Sequence, residues 1–303
     1  MAETGPYDGR GAASPQWWPS RYGPDDTAGS ANELTPERTL RALTIPRTGE
    51  VVQLAQPLSP EAPFYQGRVF EQRILAHKTL QPIAPEGSAV TTFEEIVTLG
   101  FQVGTHLDCL GHVGIAGRHY NGTHFSEFFS PKALTRFGPS ELPAWVVRGV
   151  LLDIAGLLGA ETLSRGFVIT PEHLDAACEA QDVTVSDGDA LVLNTGWGLH
   201  WGDPETFNDG QPGIGWEAAH WISERRVSVV GADNWGLEAV PFEDPERQFV
   251  GHQHLLAETG TFIVENLRTQ ELVERGVATF LWMMSPLNVA GSSGSPVAPI
   301  AVI

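Results

Sequence analysis

Short apolar runs rich in Val, Leu and Ile recur along this chain with helix signals set between them, which restricts it to an α/β architecture whose strands are covered on both faces. Strands are expected at 51–58, 69–75, 89–98, 144–153, 190–194, 227–231 and 261–264, with a last one in 297–303 tucked into a sheet. Residues 59–63 read as the turn after the first strand. A helix is expected to run to about residue 180 from Thr170, its N-cap, with Pro171 at the first helical position. Two more are expected at 216–225 and 267–274. No internal repeat or low-complexity linker divides residues 35–303, so one domain with a mixed sheet and flanking helices is expected there. Residues 1–34, rich in Gly, Pro and Asp, read as an irregular arm that wraps the body or a neighbouring subunit.

The segment from Gln102 to His112 packs two imidazoles, a carboxylate and an amide into a short stretch. If 102–108 is a strand, Gln102, His106 and Asp108 share one face and form a chelating edge. Gly111 then lets His112 fold back toward His106 and Asp108, leaving a free base beside a metal. Cys109 falls on the opposite face and reads as a packed thiol rather than a nucleophile.

Such a metal needs ligands from a second segment, and the candidates are His252, at the start of a short helix, and Glu265, which ends an apolar strand. A carboxylate in that position is costly to bury unless it meets a charge. His254 is out of phase with His252 and reads as a helix-surface or supporting residue. Trp197 and Trp201 flank a turn after the strand at 190–194, where they either wall an aromatic pocket or pack helix against sheet. His119, His124, His200 and His220 have no ligand-like spacing and read as structural.

Composition narrows the function classes. A net charge of −19, from 37 acidic and 18 basic side chains with no Lys/Arg cluster, disfavours nucleic acid and anionic membranes as partners. No apolar run approaches the length of a spanning helix, and the first thirty residues do not look like a signal peptide. Two cysteines are too few for a disulfide framework and fit a reducing compartment, so a cytoplasmic protein is expected. No Gly-x-Ser-x-Gly elbow or nucleotide-binding glycine fingerprint occurs, and the run 291–295 reads as a loop.

With these residues assembled, the chain resembles the putative cyclase family, which includes bacterial kynurenine formamidase and isatin hydrolase. The family's mark is His-x-Gly-Thr-His-x-Asp-x-Pro-x-His, and this chain has Gly104-Thr105-His106-Leu107-Asp108 and His112 in register. It also has His252 ahead of Leu255-Leu256, and Glu265 within Ile-Val-Glu-Asn-Leu. Residues 54–58 with Pro63, Tyr120-Asn121-Gly122, Thr195-Gly196-Trp197, and Gly231-Ala232-Asp233 with Glu238 are similar too, so the resemblance spans 50–290.

The resemblance implies a swivelling β/β/α fold, with His106, Asp108, His252 and Glu265 as metal ligands and His112 as proton donor and acceptor. It places Phe64 or Tyr65 against the ring of a substrate. Gln102 stands where the family has its first His, and Leu110 where it has Pro. An amide oxygen is a weaker, harder ligand than imidazole, so with Gln102 in the ligand set the expectation is one divalent ion per chain, manganese in preference to zinc. The activity implied is hydrolysis of an amide, lactam or lactone in a small aromatic substrate by a homo-oligomeric, metal-dependent enzyme. A ring cyclase of polyketide type and a binding protein with a degenerate site are the alternatives.

Overall fold

The computed structural model describes residues 16–65, 67–76 and 93–303, and among these nine of the thirteen strands gather into one mixed sheet. Its order is β1 (Val51–Gln53), β13 (Ile300–Val302), β11 (Thr279–Met284), β5 (Trp145–Asp153), β7 (Ala190–Asn194), β9 (Val229–Ala232), β10 (Phe262–Glu265), β4 (His106–Asp108) and β12 (Gly294–Pro296). The middle four, β5, β7, β9 and β10, run parallel. Of these, β7, β9 and β10 are buried at every position, as parallel strands covered on both faces must be. The remaining strands join antiparallel, β4 to β10 and β12 to β4.

The helices are short: α1 (Pro36–Ala42), α2 (Ile154–Leu157), α3 (Pro171–Ala180), α4 (Pro204–Asn208), α5 (Trp216–Glu224), α6 (Val250–His252) and α7 (Gln270–Glu274). The start of α3 follows from local chemistry: Pro171 opens it and the Thr170 backbone N–H donates to His173 Nδ1 at 3.1 Å, with His in the usual Glu place of a capping box. A two-stranded parallel pair, β6 (Val168–Ile169) with β8 (Gly213–Ile214), and an antiparallel ribbon, β2 (Phe70–Ala76) with β3 (Phe93–Leu99), complete the fold. No helix among the described residues is long and apolar enough to cross a membrane.

Several expectations are corrected. The strand expected at 51–58 keeps only Val51–Gln53 in the sheet, and proline at position 57 has no N–H for a ladder. The strand expected at 102–108 starts at His106, because 101–105 is a turn with Gly104 at φ 64°. The helix expected at 267–274 shortens to α7, since Leu267 instead donates its N–H to Ala232 O. The run 291–295, expected as a loop, contributes β12. Strand β11 was not anticipated. Of the strand expected at 89–98, positions 89–92 lie outside the described residues, as do the first fifteen residues of the arm. The rest of the arm is tied to the body: Asn121 Nδ2 donates to three backbone carbonyls between Gly23 and Asp26, and Glu33 accepts from Tyr22, Arg38 and Arg226.

Candidate metal centre

The carboxyl ends of parallel strands are where an open α/β sheet presents its ligands. Glu265 closes β10 there, and the antiparallel register sets His106 directly across from it. Side chains directly opposite in an antiparallel pair share a face, so His106 and Glu265 meet, and Asp108, two residues along, joins them. His106 Nε2 lies 3.2 Å from Glu265 Oε2 and 3.6 Å from Asp108 Oδ1. Its other nitrogen, Nδ1, is 2.8 Å from Gly104 O, which aims Nε2 inward.

The turn after β4 is closed by the His112 N–H donating to Cys109 O at 2.9 Å, and the chain folds back as expected from its glycine. His112 Nε2 comes to 3.7 Å from Asp108 Oδ1 and stays partly exposed. From the far segment, His252 Nε2 stands 3.1 Å from Glu265 Oε1 and 3.7 Å from Asp108 Oδ2. Immediately after α6 the backbone widens into a π-helical stretch, Gln253–Thr259, of the kind often found at functional sites. Cys109 is buried in the core, and burial pushes its thiol well up.

The electrostatics follow from who faces whom. Burial alone would raise the Asp108 carboxyl, but His112, His106 and His252 hold it well below the usual range. Glu265 is lowered in the same way by His106 and His252. Burial opposes charge on His106 and His252, yet the carboxylates beside them carry both above the ordinary imidazole value. His112 goes the other way: burial lowers it despite Asp108, leaving a neutral base at pH 7.

Whether a cation suits this cluster is tested by its unused ligating atoms. His106 Nε2 and both Asp108 oxygens are buried without a hydrogen bond, a costly state for three adjacent polar atoms unless something binds them. His106, Asp108 and Glu265 each offer an atom within 4.8 Å of the others, and all three residues are buried. The donors are imidazole nitrogen and carboxylate oxygen with no thiolate, a set that suits zinc or manganese.

Gln102 does not share the β4 face with His106 and Asp108. It precedes the strand, so the shared-face argument does not hold, and its Nε2 donates to Ser293 Oγ at 3.2 Å. Tyr65 stacks on Trp235 with ring centroids 4.7 Å apart, while Phe64 packs on Phe70. The Trp197 indole N–H is given to Phe207 O and that of Trp201 to Pro57 O, so both rings pack in an aromatic cluster with Phe207, Trp235 and Phe249. Phe249 carries the cluster to the centre: its ring meets His252 edge-on at 5.4 Å. Trp235 and Phe249 were not anticipated. Neither lies in a periodic run, although Phe249 has φ 54°, a conformation costly for an aromatic residue.

His254 is buried, not on a helix surface, and bonds Ser223 and Glu258 away from the centre. His119, His124, His200 and His220 pack against aromatic or imidazole rings, none of them a residue of the centre.

The model of the putative cyclase family matches residues 52–239, a span that holds His106, Asp108 and His112 but ends before His252 and Glu265. The crystal structure of a novel cyclase is similar at 30% identity, covering 94% of this chain and 98% of that one with a TM-score of 0.84. Isatin hydrolase A from Ralstonia solanacearum is similar in fold at 22% identity, 83% and 91% coverage and a TM-score of 0.59. A predicted metal-dependent hydrolase from Bacillus stearothermophilus is similar in fold at 15% identity, 83% and 98% coverage and a TM-score of 0.53. No curated protein matches the chain.

Proposed function

The chain belongs to the putative cyclase family, and from that premise we propose that it is a metal-dependent hydrolase opening or cleaving an amide, lactam or lactone of a small aromatic substrate. The observation that carries the reading is the group of unbonded, buried ligating atoms on His106 and Asp108, faced by His252 and Glu265. These four side chains would hold one divalent ion, zinc or manganese. When bound, such an ion polarises a carbonyl and makes water a competent nucleophile near neutral pH.

The chain's own residues supply the rest. His112, neutral at pH 7 and within 3.7 Å of Asp108, accepts the proton of the attacking water and returns it to the leaving nitrogen or oxygen. The Asp108 charge stabilises the imidazolium formed in between. Phe249, against His252, belongs to an aromatic cluster with Trp235, on which Tyr65 stacks, and these apolar rings favour an aromatic substrate. The reading includes a cytoplasmic setting, in keeping with two free cysteines, and a homo-oligomer, in keeping with Ile74, Phe93 and Val97 exposed on the ribbon β2–β3.

The test is hydrolysis of formyl-anilide, isatin-like and lactone substrates before and after chelation, with elemental analysis of the purified protein. Activity lost on chelation and restored by manganese or zinc is expected. Hydrolysis that survives complete metal removal would overturn the reading.

A further inference from the structure

A neutral imidazole has one N–H and one lone pair, and which nitrogen carries which decides whether it can bind a cation. His252 faces this choice with acceptors on both sides. Glu265 and Asp108 lie at its Nε2, where they would draw the proton, and Glu238 Oε1 lies 2.7 Å from its Nδ1. Glu238 is buried, and the same oxygen accepts the His252 backbone N–H at 2.7 Å. Its position is fixed from behind, since its own carbonyl accepts from Gln211 Nε2 at 2.7 Å. At residue 251 an added Cβ would stand 2.9 Å from the Glu238 carboxyl carbon, so glycine is what lets this carboxylate reach the ring. Leu237, adjacent to Glu238, is held at φ 53°, a conformation kept only where surroundings demand it.

Resting on the metal-centre reading above, we infer that Glu238 is a positioning residue for it. Glu238 accepts the Nδ1–H hydrogen bond of His252, so the Nε2 lone pair is presented to a cation shared with Asp108 and Glu265. Its negative charge makes that nitrogen a stronger donor. Glu238 stands outside the proposed ligand set, and a helix-capping carboxylate would not need to touch the ring.

The test separates charge from capping. Glu238→Gln keeps an oxygen that can accept both N–H groups but removes the charge. It is expected to bind manganese or zinc roughly 10–100-fold more weakly in chelator competition, with the metal-free melting temperature near that of the parent. A second measurement needs no variant: nitrogen-15 spectra of the zinc-loaded parent, labelled in its imidazoles, are expected to place the His252 proton on Nδ1. Parent-like affinity in a folded Glu238→Gln, or a proton on Nε2 in the loaded parent, overturns the inference. A parent that binds neither metal overturns the centre itself, and the role of Glu238 with it.

Discussion

His252 and His254 are two residues apart in one helical segment, and each is buried against a carboxylate, yet their surroundings leave them in different states. His254 Nδ1 is 2.7 Å from Glu258 Oε2, its Nε2 is 2.8 Å from Ser223 Oγ, and its ring lies over His220 at 3.9 Å. Every polar atom of that imidazole is spoken for. Around His252 the acceptors outnumber the donors, and His106 Nε2 and both Asp108 oxygens have no hydrogen bond at all. Imidazole and carboxylate in proximity therefore do not make a metal centre. A surplus of buried ligating atoms converging on one point is what suits a cation, and it is what sets the His252 cluster apart.

The hardest test of the contrast is His106→Ala. It should lower manganese or zinc affinity beyond the roughly 100-fold that a supporting residue costs, and abolish turnover with it, as read by calorimetric titration and assay. Retained metal in that variant would erase the distinction between the clusters. Next in size, His112→Ala should keep its metal while turnover falls by about 10² to 10⁴-fold, since His112 is read as the proton carrier and not a ligand. Metal loss equal to that of His106→Ala would make it a ligand instead.

Acidity acts on the histidines of the centre differently. In metal-free protein His106 and His252 hold protons above the ordinary imidazole value because of the carboxylates beside them, despite burial. Their contribution to metal-free stability is fully present below about pH 6.5 and lost as pH rises through their folded values. His112 acts in the opposite sense, its lowered value making a contribution that is lost as pH falls. A cation must displace the two ligand protons, so metal affinity rises with pH by up to about tenfold per proton per unit. The gap in melting temperature between loaded and metal-free protein should widen from about pH 6 to pH 8. A constant gap would mean the imidazoles are not protonated in the free protein.

The smallest effect belongs to the satisfied cluster. Glu258→Gln should cost about 1–3 kcal/mol in thermal unfolding, for a partly buried charged partner lost from His254, and leave metal affinity at the parent value. A change in affinity would show that the two clusters are coupled through the helical segment they share.

Much of the centre was legible in the sequence for a local reason. Side chains two apart in a strand share a face whatever surrounds them, so His106 and Asp108 could be paired from spacing alone. Glu265 was marked by the cost of ending an apolar strand in a carboxylate, and the start of α3 by Thr170 and Pro171. Gln102 does not share that face, because Gly104, with φ 64°, ends the strand before the alternation reaches it.

Other features are non-local. β12 is a Gly–Ser–Pro segment with no strand propensity of its own. It forms because its backbone pairs with β4, and an added Cβ on Gly294 would stand 2.7 Å from Leu107 O. Glu238 reaches His252 from a different segment, and the aromatic cluster that meets His252 gathers Trp197, Phe207, Trp235 and Phe249 from separate stretches. Local sequence carries propensity and side-chain phase, which act over a few residues. The pairing of distant backbones and the leftover valences of buried ligands exist only once the chain has closed on itself, and they separate His252 from His254.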